Sequence, residues 1–242
     1  TNATLHNAEF IAEKDIRIGD TVSVHRAGDV IPRVDAAILE RRPADAVPFV
    51  FPHVCLCELK TLLVKEETAA GEEGKVRRCS GEFACPYQQV EHLKHFVSRR
   101  AFDIEGLGEK QIEFFFQDPD LPVRTPADIF TLAERDAAES VKKLRNKEGF
   151  GDLSVRNLFA AIESRRVIEL DRFIFALGIR HVGETTAKVM ARAYGSWAAF
   201  EAAAFRVAKG DLEAREEMDA IDQVGDTVIE AVGRYFSEAH NL

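Results

Sequence analysis

Four cysteines and four glycine-ended turns are the residues of this chain best suited to do chemistry. The cysteines come as two close pairs, Cys55-Leu56-Cys57 and Cys79 with Cys85. They bracket Leu62 to Glu67, a turn from Gly71 to Gly74, and Lys75 to Arg78, which together read as a charged hairpin. Two close pairs around a hairpin point to zinc more than to disulfides. Thiolates from both sides close a tetrahedral shell, and the metal replaces a core that so small a module cannot build. A zinc knuckle ordinarily has two residues between its cysteines, and Cys55 and Cys57 are separated by one, so His53 is a substitute ligand. Thiols without metal are the competing reading.

The turns read Ile104-Glu105-Gly106-Leu107-Gly108, Lys147-Glu148-Gly149-Phe150-Gly151, Ile179-Arg180-His181-Val182-Gly183 and Ile221-Asp222-Gln223-Val224-Gly225. Their shared template is an apolar residue, a tight turn ending in glycine, then a helix-forming run. The closing glycines stand 43, 32 and 42 residues apart, an alternation that paired units would produce. This pattern is that of a helix-hairpin-helix array. Each hairpin turns the first N–H groups of its second helix outward, where unpaired donors and the positive helix end together hold an anion. Several in succession suit a polyphosphate backbone.

The elements that must position these groups fall into three zones. From Thr1 to about Pro48 the pattern is β-like: Asp15 to Asp20 leads into the alternating run Thr21 to Arg26, a turn at Ala27-Gly28-Asp29, and Val30 to Val34. Two short strands about a glycine turn fit a small barrel, whose outward His25, Arg26 and Arg33 either touch a nucleic-acid backbone or form a solvated face. The cysteine zone follows. From about Tyr87 to Leu242 the chain is helical, with Val90, Leu93, Lys94 and Val97, then Leu158, Ala161 and Ile162, then Phe173, Leu177 and Ile179 at helical spacing. Pro119, Pro122 and Pro126 interrupt the helices between the first two hairpins. Phe114, Phe115, Phe116 and Trp197 are expected in the core rather than as base-stacking aromatics. His92 and His95 are expected beside Lys94 at a surface.

Composition narrows the partner. At 242 residues and 46% hydrophobic content, the chain can bury one or two cores. Its formal charge of −9 lacks the basic balance of a nonspecific DNA binder, so any nucleic-acid contact must be local. Between Ser140 and Arg166, Lys142, Lys143, Arg145, Lys147, Arg156, Arg165 and Arg166 face Glu148, Asp152 and Glu163, and the second hairpin lies inside that basic stretch. From Val207 to Glu230, eight acidic residues face only Lys209 and Arg215, which leaves the fourth hairpin poorly suited to phosphate. No segment approaches the roughly 20 apolar residues of a membrane span. With nothing like a signal peptide either, a cytoplasmic setting is expected. The chain opens on Thr1 rather than methionine and reads as a piece of something longer.

Catalytic signatures are missing: there is no Gly-x-x-x-x-Gly-Lys loop, no Gly-x-Ser-x-Gly elbow and no His-Glu-x-x-His site. Other segments carry a family likeness. Thr4-Leu5-His6-Asn7, Asp15-Ile16-Arg17-Ile18-Gly19-Asp20-Thr21-Val22, Arg26-Ala27-Gly28-Asp29-Val30-Ile31-Pro32, Phe102-Asp103-Ile104-Glu105-Gly106-Leu107-Gly108 and Gly178-Ile179-Arg180-His181-Val182-Gly183-Glu184 closely resemble bacterial NAD-dependent DNA ligase, in order through the whole chain. The resemblance implies a multidomain fold. Residues 1–48 would be a partial OB-fold, a small β-barrel missing its leading strand; 49–87 a four-cysteine zinc finger; and 88–242 an all-α helix-hairpin-helix domain with four hairpins. Two departures stand out: the first cysteine pair is one residue closer than the family's Cys-x-x-Cys, and Leu59 to Arg78 is longer than usual.

Such ligases transfer adenylate from NAD to the lysine of a Lys-x-Asp-Gly motif, pass it to the 5′-phosphate of a nick and seal with the 3′-hydroxyl, using magnesium. This chain has no Lys-x-Asp-Gly. It is therefore expected to be inactive alone, with no catalytic residue, and to serve as the part of the full enzyme that grips nicked double-stranded DNA as a monomer. The expected structural zinc ligands are Cys55, Cys57, Cys79 and Cys85. The expected DNA contacts are Arg26, Gly106, Gly108, Lys110, Gly149, Gly151, Arg180, His181, Gly183 and Lys188. A noncatalytic hairpin module for branched or damaged DNA, and a zinc-linked scaffold for protein, are the alternatives.

Overall fold

The computed structural model describes residues 2–26, 31–67, 73–81, 84–138 and 142–242. The chain divides into two compact units, Thr1–Gly81 and Glu82–Leu242.

In the first unit, β1 (Val22–His25) pairs antiparallel with β2 (Arg33–Ala37), from Val22 opposite Ala37 to His25 opposite Arg33, with a bulge after Ser23. Thr4 bridges Arg33 in parallel, its N–H donating to the Pro32 carbonyl at 2.7 Å. The second strand starts at Arg33, just after Pro32, which has no N–H to give a ladder; Val30 lies outside the described residues. The expected turn at Ala27-Gly28-Asp29 lies outside the described residues. Helix α1 (Ala8–Glu13) starts at Asn7, whose Oδ1 accepts from the Phe10 N–H at 2.9 Å. Arg42 ties the loops together, reaching Asp15 at 2.6 Å and Asp20 at 2.8 Å. With Arg17, it holds the Asp15 carboxyl down at about 2. β3 (Leu63–Glu67) and β4 (Glu73–Cys79) form the expected hairpin, Leu63 opposite Cys79. Apart from Cys55 and Cys57, the buried apolar residues described in this unit are Ile16 and Val34. So small a core does not hold a unit of this size together by itself.

The second unit is helical: α2 (Pro86–Val97), α3 (Glu109–Gln117), α4 (Pro126–Phe130), α5 (Leu132–Ala138), α6 (Asp152–Ser164), α7 (Leu170–Ala176), α8 (Glu184–Tyr194), α9 (Trp197–Ala208), α10 (Leu212–Asp219) and α11 (Asp226–Ser237). It has two cores. Leu107 and Ile112 of the first hairpin and Leu144, Val155 and Leu158 around the second fill one. Val182, Ala187 and Met190 of the third and Val224, Ile229 and Val232 of the fourth fill the other. Each core takes two hairpins, which is what the alternating glycine intervals encode. Phe115 and Phe116 are buried, Phe114 packs on Phe150 at 5.1 Å, and the Trp197 ring meets Phe173 edge-on at 4.8 Å.

The histidine expectation is corrected. Lys94 pairs with Glu91 and Glu113, but α2 packs on α7 and His92 is half-buried against Gly178, where burial, with a smaller contribution from the charge of His95, pushes its pKa down to about 4. His95 Nε2 lies 2.7 Å from the Phe175 carbonyl oxygen. Gly178 makes this packing possible: its φ is +68°, and a Cβ there would stand 3.0 Å from His92 Nδ1.

Candidate nucleic-acid interface and metal centre

The four turns are copies of one backbone conformation. The residue two before each closing glycine has positive φ: Gly106 at 81°, Gly149 at 82°, His181 at 62° and Gln223 at 65°. In each, the N–H of the next residue donates three residues back: Leu107 to Ile104, Phe150 to Lys147, Val182 to Ile179 and Val224 to Ile221, at 3.0 to 3.2 Å. The closing glycine is then the N-cap of α3, α6, α8 or α11, and none of the four has a side-chain cap. Four other helices are capped by side chains, those of Asn7, Thr125, Ser196 and Asp211, while α2 and α7 start on Cys85 and Glu169 without one. Helices capped by a side chain lose an outward donor to it. The hairpin helices keep theirs, except that at the second the Gly151 N–H itself donates to Ser154 Oγ at 2.8 Å.

Sterics do not require those glycines. Gly151, Gly183 and Gly225 have ordinary negative φ, and a Cβ on any of them would meet nothing within 4 Å. At Gly108 a Cβ would touch only the end of Gln111, at 3.4 Å. The space in front of each turn is open to a ligand, and the ligand that suits exposed N–H groups at a helix start is an anion.

Charge differs from turn to turn. Lys110 lies in the first turn of α3, exposed. Five residues after the closing glycine, the exposed side chain is Arg156 in the second hairpin and Lys188 in the third, but Glu113 in the first and Glu230 in the fourth. Arg180 Nε donates to His181 Nε2 at 3.1 Å, and burial together with the charge of Arg234 on α11 lowers the Arg180 pKa. That neighbourhood is positive. In the fourth hairpin, by contrast, Arg215 of α10 pairs with Asp226 at 2.9 Å and Glu230 at 3.4 Å. Arg26 is exposed at the end of β1, in the first unit and apart in sequence from the hairpins.

The basic stretch around the second hairpin is less available than its count suggests. Lys142 pairs with Asp120 and Lys147 with Asp118 and Asp120, all at 2.8 Å, while Arg165 pairs with Asp103 at 2.9 Å and Arg166 with Glu163 at 2.6 Å. Arg145 approaches Asp152 at 3.6 Å. Arg156 has no carboxylate partner among the described residues and is the cation best placed beside Gly151.

The cysteine sulfurs of Cys55, Cys57, Cys79 and Cys85 lie within 4.8 Å of one another. A tetrahedral zinc shell with Zn–S bonds of about 2.3 Å needs sulfurs about 3.8 Å apart, so this donor set fits a metal with a small contraction. The single-residue spacing does not exclude Cys57. The Cys55 N–H donates to the Thr61 carbonyl at 2.8 Å and the Lys60 N–H to the Cys57 carbonyl at 3.1 Å, a tight loop that turns both sulfurs the same way. His53 is turned elsewhere, its Nδ1 3.3 Å from Arg77. Thr61 Oγ1 lies 2.8 Å from Cys79 Sγ, placed to donate to it as a thiolate, and the Gly81 N–H donates to the same sulfur at 3.3 Å. Such bonds draw charge from a thiolate.

Residues 1–46 match the family model described as the NAD-dependent DNA ligase OB-fold domain, and residues 172–242 match the helix-hairpin-helix motif. A DNA ligase of Chelativorans sp. (strain BNC1) is 67% identical over 241 residues, covering 100% of this chain and 34% of the relative. The chain belongs to the NAD-dependent DNA ligase family. DNA ligases of Bradyrhizobium diazoefficiens, 59% identical over 251 residues, and Phenylobacterium zucineum, 58% over 241, are covered to 34% each by 99% and 100% of this chain. The chain thus spans about a third of the length of these curated ligases.

Among the described residues of this chain, no helix is long and apolar enough to cross a membrane. The first unit shows two two-stranded sheets and the Thr4 bridge, and its OB-fold identity rests on the family match. Reading the sequence missed Arg156, Arg234 and Thr61 as site residues. Arg156 could have been found by aligning the four turns, since it stands where Lys188 stands in the third. Arg234 and Thr61 carry no local signal.

Proposed function

We propose that this chain is the part of an NAD-dependent DNA ligase that grips nicked duplex by its phosphate backbone, with residues 1–48, 49–87 and 88–242 as partial OB-fold, zinc finger and hairpin domain. The observation that carries this reading is the capping contrast. Four helices that follow the shared turn start on glycine with open space in front, and four others in the same chain start on a side-chain cap. A glycine cap costs a helix a few tenths of a kcal/mol relative to Ser or Asp. It leaves first-turn N–H groups to a phosphate, and contact through such groups is indifferent to base sequence, as sealing any nick demands. The first three hairpins do the binding, through the turns at Gly106 to Gly108, Gly149 to Gly151 and His181 to Gly183, with Lys110, Arg156, Arg180 and Lys188 adding charge. Arg26 adds a contact from the first unit. The fourth hairpin completes the core of the third.

Zinc on Cys55, Cys57, Cys79 and Cys85 takes three of its ligands, Cys55, Cys57 and Cys79, from the first unit, whose own apolar core is small. With no Lys-x-Asp-Gly in the chain, the covalent step with NAD and magnesium belongs to other parts of the full enzyme.

Titrating the chain into labelled nicked duplexes of unrelated sequence at several salt concentrations tests the reading. Equal affinities that fall with salt, no adenylate on the chain after incubation with NAD, and one zinc per chain whose removal lowers the melting temperature are expected. Salt-independent or absent binding, or an adenylated chain, would contradict it. Metal well below one equivalent in freshly reduced protein would remove the zinc.

A further inference from the structure

The second hairpin breaks the template it otherwise follows. Four residues before the closing glycine, the other hairpins have Ile104, Ile179 and Ile221; here the residue is Lys147. Ile104 and Ile179 are 4% and 3% exposed, packed into their cores. The Lys147 side chain is only 17% exposed, so the slot is still an inward one. Its ammonium lies 2.8 Å from Asp118 Oδ2, 2.9 Å from Asp118 Oδ1 and 2.8 Å from Asp120 Oδ2. Both carboxylates follow directly on α3, the second helix of the first hairpin, where Asp118 is the C-cap and its side chain is 2% exposed. Asp118 also accepts from the Asp120 N–H at 2.9 Å, and Lys142 joins Asp120 at 2.8 Å. A buried ion pair therefore stands where three sister turns use a hydrophobic anchor. Such a pair is worth little to stability against an apolar replacement, but it fixes geometry, because removing one partner strands the other.

We propose that Lys147 is a positioning residue: through Asp118 and Asp120 it sets the second hairpin's glycine cap relative to the first hairpin's, and it makes no phosphate contact itself. The inference rests on the backbone-gripping reading above. Two anion cradles held at a fixed separation can meet two phosphates of one duplex together, whereas cradles free to shift lose the advantage of the second contact. A lysine inside a basic stretch would ordinarily be counted as a phosphate ligand. Its two short carboxylate contacts assign it the opposite role.

Salt dependence separates the roles. A residue that neutralises a phosphate contributes about one to the slope of log affinity against log salt; a residue that only positions others contributes none. Nicked-duplex binding of the whole chain should be measured across salt for Lys147→Ile, Lys147→Arg and Lys147→Met combined with Asp118→Asn. Lys147→Ile restores the residue of the sister turns yet leaves buried Asp118 without its cation and Asp120 with Lys142 alone, and should weaken binding on the order of tenfold with the parent's slope. Lys147→Arg, whose guanidinium can serve both carboxylates, should recover most of that loss. The double variant keeps the test open if Lys147→Ile does not fold: it should fold, bind weakly and keep the slope. A slope smaller by about one in either neutral variant, or parent affinity in a folded one, would overturn the proposal. A parent chain that fails to bind duplex, or binds without salt dependence, would instead sink the reading on which it rests.

Discussion

The third and fourth hairpins share one core, one turn conformation, one kind of cap and an acidic residue just after it, Glu184 and Asp226, and they differ in most of the other charges around that cap. His181 and Gln223 hold the same left-handed conformation, Val182 and Val224 are both buried, and Gly183 and Gly225 both start helices without a side-chain cap. Around the third stand Arg180, Lys188 and, from α11, Arg234; around the fourth stand Asp222, Asp226 and Glu230, with Arg215 already bound to two of them. The difference teaches that apolar spacing and turn conformation build the hairpin, whereas charge, on the proposed reading, decides whether it binds. Folding needs both members of a pair, because each core is filled from two hairpins. Binding needs only one.

Acid should strain the two hairpins unequally, and this is the largest effect expected. His92 packs on Gly178, which leads into the third hairpin alone. Burial depresses its pKa from 6.5 to about 4, so the unfolded chain binds the extra proton between those values. The stabilisation from a neutral His92 is therefore complete above about pH 6.5 and is lost progressively as pH falls toward 4, by at most about 3 kcal/mol. His92→Gln should show a shallower loss of melting temperature across that window than the parent. Equal slopes would mean that His92 is neutral for another reason or is not buried.

Exchanging single charges should make each hairpin behave more like the other. Lys188→Glu gives the third the residue of the fourth and should cost about 1 kcal/mol of duplex affinity while reducing the salt slope by about one. Glu230→Lys is the reverse exchange at the matching position. It should gain a few tenths of a kcal/mol, since it also frees Arg215 from one carboxylate. Both are read by titration at several salt concentrations, with melting to check the fold. Affinity unchanged by Lys188→Glu would break the link between charge and binding.

How far the sequence alone reached depends on how local each signal was. The hairpins were legible because glycine at Gly106 and Gly149, and at all four caps, reports the turn within five residues. Their pairing showed in the glycine intervals. His181 and Gln223 adopt the positive φ of Gly106 and Gly149 without being glycine, so only the repeat alignment identifies them. The basic stretch misled because Lys147 and Lys142 answer to Asp118 and Asp120, more than twenty residues earlier. Counting charge in a window cannot see that. His92 looked like a surface residue for the same reason: Gly178, the backbone it packs against, lies far along the chain. At the metal centre the single-residue spacing looked like a defect, and the loop closed by Thr61 and Lys60 shows how Cys55 and Cys57 both turn inward.

The most direct test of the central claim is to place the same carboxylate at two matched caps and read binding and melting together. Gly183→Asp and Gly225→Asp both fit sterically, since neither Cβ would meet an atom within 4 Å, and aspartate is a good N-cap, so neither change should unfold its helix. At Gly183 the new carboxylate takes the donors meant for phosphate and repels it. Nicked-duplex affinity should fall by about 1–3 kcal/mol with little change in melting temperature. At Gly225 affinity should hold, and any loss should appear in melting, where Asp222, Asp226 and Glu230 surround the new charge. A folded Gly225→Asp variant that loses as much affinity as Gly183→Asp would contradict the account.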